Sequence, residues 1–137
     1  MLHRIVAALA LGAVAVGPAA AEPAPAIGVE LNRLETVEGE CRAYLVLDNR
    51  GGALESLELD LVLFDPDGVI ARRLAVEAGP LRAGRESVKV FTIGGLACDG
   101  IGRVLLNDVL SCTGEGAGDD CLGRIEASSR AAAPLSN

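Results

Sequence analysis

Four leucines at every second position, Leu57, Leu59, Leu61 and Leu63, alternate with Glu58, Asp60 and Val62. A period of two sends successive side chains to opposite faces of an extended chain, so this run predicts a strand with one leucine face. The stretch around it, Leu54 to Lys89, organises the rest of the chain. The strand closes at Phe64 and meets Asp65-Pro66-Asp67-Gly68. Proline presets φ for a turn and glycine supplies a positive φ, so these four residues predict a structural hairpin turn. Val69 to Glu77 then predicts a returning strand, with Ile70, Leu74 and Val76 set against Ala71, Arg73 and Ala75. Past Gly79-Pro80 and Ala83-Gly84, Glu86 to Ile93 predicts a third strand. Three successive strands with tight turns predict an antiparallel meander.

Residues 1–21 predict an export signal rather than a part of the fold. His3 and Arg4 make a short charged start, Ile5 to Gly17 an apolar run, and Ala19-Ala20-Ala21 a small-residue cleavage site. The apolar run falls short of the roughly twenty residues that span a bilayer, and Pro18 ends it. No adjacent arginine pair precedes the run, which favours the general secretory route. Cleavage after Ala21 leaves a periplasmic chain with no stable membrane anchor. Residues 22–26, Glu-Pro-Ala-Pro-Ala, then form a stiff Pro/Ala-rich tail, and residues 27–137 a single domain.

Charge narrows the partners. The chain carries 12 Lys and Arg against 19 Asp and Glu, a net charge of −7, and loss of Arg4 with the signal takes it to −8. An acidic chain with one lysine lacks the clustered cations that nucleic acid or anionic lipid requires. Tyr44, Phe64 and Phe91 are the only aromatics, which disfavours stacking platforms and aromatic cages. The core must be built from Leu, Val, Ile and Ala.

Four cysteines, Cys41, Cys98, Cys112 and Cys121, all follow the signal. An even number in a small exported domain predicts two disulfides, for which three connectivities exist. Cys112 and Cys121 flank a glycine-rich acidic loop, residues 113–120, that a bridge would close. The preferred pairing is therefore Cys112–Cys121 with Cys41–Cys98. No close cysteine pair exists and the only histidine, His3, leaves with the signal, so neither a metal centre nor a Cys-x-x-Cys oxidoreductase is expected.

Elsewhere, Ile27, Val29 and Leu31 start a strand that extends toward Val37, and Glu38-Gly39-Glu40 predicts a turn. Cys41 to Asp48 predicts the next strand, with Cys41, Ala43, Leu45 and Leu47 on one face. Asn49-Arg50-Gly51-Gly52 and Gly94 to Gly100 predict loops. Arg103 to Ser111 predicts a strand with Val104, Leu106 and Leu110 on one face and Leu105 and Val109 on the other. Asp119-Asp120 predicts the cap of a short helix from Cys121 to Glu126. Ser128 to Leu135 reads equally as an edge strand or a tail. Six or seven short strands separated by turn signals predict an all-β antiparallel sandwich, with a small barrel as the rival.

No stretch carries a catalytic signature. Asp65-x-Asp67-Gly68 begins like a calcium loop but lacks the later ligands, so the turn reading is preferred. Glu115, Asp119 and Asp120 suggest a weak cation site at most, against the plainer reading of a solvated loop. Glu58 and Asp60 fall on the polar phase of their strand, away from the burial that tunes acid–base pairs. Ser128-Ser129 has no histidine to activate it after signal removal. Arg72 and Arg73, as neighbours on a strand, point to opposite faces. Asn107-Asp108 interrupts an apolar strand, which a bulge or a recognition point would explain.

Ala43-Tyr44-Leu45-Val46-Leu47-Asp48-Asn49, Leu59-Asp60-Leu61-Val62-Leu63-Phe64-Asp65, Asp67-Gly68 and Leu81-Arg82-Ala83-Gly84 together resemble the layout of bacterial envelope immunoglobulin-like modules of the FxLYD kind. With Val104 to Asp108 and the four cysteines, the whole chain also resembles small exported alphaproteobacterial proteins of unknown function labelled "Tat pathway signal" proteins. These resemblances imply an immunoglobulin-like sandwich and export, and carry no functional residues with them. The expectation is a non-enzymatic, disulfide-stabilised periplasmic module, without cofactor, that binds a protein partner in an envelope complex. The alternative is a small-ligand or cation-binding protein that uses the acidic 113–120 loop.

Overall fold

The computed structural model describes residues 9–18 and 24–137. The charged start and the expected cleavage site, Ala19 to Ala21, lie outside the described residues. Residues 9–18 carry no helix or strand, and their Leu9, Leu11, Val14 and Val16 are exposed, whereas the packed core begins at Ile27. Among the described residues, no helix is long and apolar enough to cross a membrane.

From Ile27 onward the chain is an all-β sandwich of two four-stranded sheets. β1 (Ile27–Val37) and β2 (Glu40–Asn49) form a hairpin through Glu38 and Gly39, which hold φ of 52° and 81°. Positive φ at both central positions matches the turn twist to the strand twist, the geometry that Gly39 makes accessible. β3 (Ser56–Phe64) pairs with β4 (Ile70–Glu77) through the Asp65 to Gly68 turn. The Asp65 carboxylate accepts from the backbone N–H groups of Asp67 and Val69, both at 2.9 Å, while Gly68 sits at φ 81°. Asp65 thus organises the turn, and Asp67 points to solvent.

The expected meander ends at β4. β5 (Arg85–Ile93) pairs with β2, not β4, so the chain crosses between sheets. Gly79-Pro80 and Ala83-Gly84 are two turn signals separated by an extended link. That link is too long for a tight hairpin and long enough to cross the roughly 10 Å between stacked sheets. Leu81 docks on Leu54 in passing, with reciprocal backbone bonds of 2.8 and 2.9 Å. Asn49, wholly buried, pins the crossing: its amide donates to the Gly52 and Arg82 carbonyls and its oxygen accepts from Gly51 N–H.

β6 (Arg103–Thr113) flanks β3 on its other side. Two register shifts interrupt that ladder, because Asn107 and Leu110 have no partner opposite them. Each extra residue reverses the alternation. Val104 and Leu106 therefore face the core, Leu110 is 49% exposed, and Val109 packs inward, opposite to the periodicity read from the sequence. The expected helix from Cys121 to Glu126 is only a single 3₁₀ turn, Leu122–Arg124, followed by β7 (Ile125–Ser129). Ile125 is buried opposite Ile27, and β-branched packing in the sheet outweighs the helix-start signal of Asp119-Asp120. Asp120 caps the turn instead, accepting from Gly123 N–H at 2.8 Å. β8 (Leu135–Ser136) ends the chain. The sheet orders are β5-β2-β1-β7 and β4-β3-β6-β8, and the β1–β7 and β6–β8 ladders are parallel rather than antiparallel.

Disulfides Cys41–Cys98 and Cys112–Cys121 span 57 and 9 residues of sequence, with Cα separations of 4.8 and 6.5 Å. The first ties the start of β2 to the loop after β5. The second joins β6 to the 3₁₀ turn before β7. Between the sheets, Leu45, Leu47, Leu57, Leu59, Leu61, Leu63 and Leu106 are almost wholly buried. One void there has room for about 10 Å³ and is lined by aliphatic residues such as Leu45, Leu61 and Val104. That is one water at most.

Candidate interaction surface

The most polar buried group lies on the outer face of β3. Asp60, assigned from alternation to a solvated face, is only 2% exposed. Arg73 Nε and Nη2 each donate to its carboxylate at 2.8 Å, and Asn107 Nδ2, the bulged residue of β6, donates at 2.9 Å. These donors, the Arg73 guanidinium first, hold the Asp60 carboxyl down at about 2. A carboxylate satisfied by three donors is a fixed anion and a poor proton carrier near neutral pH. Its partner Arg73 stays 66% exposed, so the cluster fastens three strands together at the surface.

The acidic loop is occupied from within. Arg124 Nη1 donates to the Gly116 and Ala117 carbonyls at 2.7 and 2.8 Å, and its Nε donates to Pro25 at 3.0 Å. Gly116 N–H bonds the Ala53 carbonyl. The carbonyls best placed for a cation thus already face a guanidinium, and Glu115 and Asp119 are exposed. Among the described residues, no three His, Cys, Asp or Glu side chains are grouped to hold a metal. Ser129 is also engaged, donating to the Ala133 carbonyl at 2.6 Å and accepting from Ala131 N–H.

A shallow groove of about 560 Å³ crosses the outer face of β1 and β2, over Gly28 and Val46. Its charges largely answer one another: Arg130 pairs with Glu30, and Arg50 with Asp48 and Glu126. It is a solvated polar face.

The two sides of the sandwich differ. β7 and β8 are the edges on one side, where a side-chain hydrogen bond from Asn137 to the Ile125 carbonyl links them. On the other side β4 and β5 are both sheet edges and do not pair with each other. Beyond residue 24, the exposed large apolar residues are Val69, Ile70, Val88, Val90 and Leu110, and all but Leu110 lie here. Val88 is 62% exposed and Ile70 61%. Ile70 lies on the outer face of β4 and Val88 and Val90 on the outer face of β5, so exposed apolar side chains flank the open edge from both sheets, where another chain can bind.

Charge on this side is equally uneven. Arg85 and Lys89 pair across the ladder with buried Asn49 and Leu45, and Arg72 with buried Leu63, so all three stand on the core-facing side of an edge strand. Arg72 also reaches toward the Gly94 and Gly95 carbonyls at 3.4 Å, near the end of β5. Among the described residues, none of Arg72, Arg82, Arg85 and Lys89 belongs to an ion pair. The sequence carries a signal for this, because Arg72 shares the apolar phase of Ile70, Leu74 and Val76. A charge in the apolar phase of a strand marks an edge. Comparison with protein-family models, curated proteins and solved structures found no match to this chain.

Proposed function

We propose that this chain is an exported, non-catalytic interaction module that serves a cell-envelope complex, its disulfide-stapled sandwich presenting the β4–β5 side to a protein partner. One observation carries this reading. Val69, Ile70, Val88 and Val90 lie exposed on the same side as four cations that make no ion pair among the described residues. Export to the periplasm is supported by the signal-like first 21 residues and by two disulfides, which persist in oxidising compartments. The immunoglobulin-like layout suits the same role, since such sandwiches offer edges and faces rather than clefts. Cation binding at residues 113–120 has less support, because Arg124 already fills that loop.

Affinity capture tests the reading. The exported chain and its Val88→Asp/Val90→Asp variant are immobilised and exposed to periplasmic extract. The unmodified protein should retain a partner that the variant loses, with both showing the same thermal unfolding. The same proteins retained by both would contradict it.

A further inference from the structure

β5 has bonded only half of its backbone. One row of its N–H and C=O groups forms the ladder to β2, and, among the described residues, 85–93 make no other backbone hydrogen bond. The outward row is a template for a further strand. The side chains of such a strand would alternate between two surroundings. One set would lie beside Val88 and Val90 on the outer face. The other would turn to the core-facing side, beside Arg85 and Lys89. Arg85 and Lys89 are four residues apart, roughly 13 Å along a strand, which is the spacing of two residues at i and i+4 on a neighbouring strand.

Resting on the interaction-module reading above, we propose that the β4–β5 rim receives an extended segment of a partner protein, added as a strand to β5. In that segment β-branched apolar residues alternate with carboxylates. The apolar residues cover Val88 and Val90, and the carboxylates meet Arg85 and Lys89. Inward-pointing charges also serve to keep edges from pairing, and either sign suffices for that task. Here every core-facing charge on the rim is positive, in a chain with 19 acidic and 12 basic residues. Arg85 adds a planar fork that suits carboxylates. The chain's single lysine, Lys89, stands four residues from it on the same face.

The test uses the exported chain and the peptide Val-Glu-Val-Thr-Val-Glu-Val, with versions carrying Gln or Lys in place of Glu. Binding is followed by calorimetry and by amide chemical shifts. The Glu peptide should bind and shift amides of residues 85–93, with the Gln peptide about tenfold weaker, the effect of two partly screened ion pairs. Lys89→Glu should lose the Glu peptide and gain the Lys peptide, a reversal that an unfolded variant cannot produce. Equal binding of the Glu and Gln peptides, shifts confined to another face, or binding of dextran sulfate in preference to the peptide would each overturn the proposal. So would no binding at all together with dimerisation of Lys89→Val, the sign of a rim that is merely blunted. Those failures would leave the module reading intact if periplasmic capture still depends on Val88 and Val90.

Discussion

Arg73 grips Asp60 with both arms of its guanidinium, Nε and Nη2 each 2.8 Å from a carboxylate oxygen, and Asn107 adds a third donor at 2.9 Å. The carboxyl is thereby lowered from its ordinary 3.8 to about 2. A folded value below the unfolded one stabilises the fold above about pH 4, and that contribution is lost as pH falls toward 2. Unfolding in urea between pH 5 and pH 2 should show this loss, and Asp60→Asn should reduce the slope. An unchanged pH dependence in the variant would show that the pair contributes nothing to acid stability.

The two disulfides should contribute unequally. Closing 57 residues restricts the unfolded chain more than closing 9, by roughly 4 against 3 kcal/mol in the chain-entropy account. Cys41 is also wholly buried, so its removal disturbs packing as well. Urea unfolding of the paired alanine variants should rank loss of Cys41–Cys98 as the more damaging. Intact mass should rise by four hydrogens on reduction, and free thiols in the native protein would refute both bridges.

Within the β3–β4 turn, Asp65 and Gly68 should matter and Asp67 should not. Gly68→Val should cost about 1–3 kcal/mol, since a β-branched residue resists positive φ. Asp65→Ala forfeits two hydrogen bonds from backbone N–H groups and should cost about 1–2 kcal/mol. Asp67→Asn should change stability by less than about 0.5 kcal/mol. Calcium should leave the melting temperature of all four proteins unchanged. A calcium-dependent rise that Asp67→Asn abolishes would make the turn a metal site.

Local alternation made most strands legible. Leu57 to Leu63 and Cys41 to Leu47 face the core in the phase read from sequence, because the extra residues in their ladders lie in the partner strands and leave the alternation of β3 and β2 intact. Legibility failed where partners were distant in the chain. Asp60 reads as solvated until Arg73 folds over it from β4 and the bulged Asn107 reaches it from β6. The same bulge reversed Val109 and Leu110, which no local pattern announces. The meander failed for a related reason: turn residues show that a chain bends, while the link's length decides which sheet it rejoins. The open rim was half visible. Arg72 in an apolar phase points to an edge, but that β4 and β5 flank the same open side required both sheets.

Export has a direct readout. N-terminal sequencing of the secreted chain should begin at Glu22, and full-length chain in the membrane fraction would contradict cleavage.

Photo-crosslinking in living cells tests the interaction surface itself. A photoreactive residue is placed in turn at Ile70, Val88 and Val90 on the β4–β5 side, and at Leu110, Glu126 and Ser128 elsewhere. Adducts to a discrete envelope protein should form from the first three positions and not from the others. Adducts concentrated at Leu110, Glu126 or Ser128, with none at Val88 or Val90, would place the partner on another face and end the case for this edge.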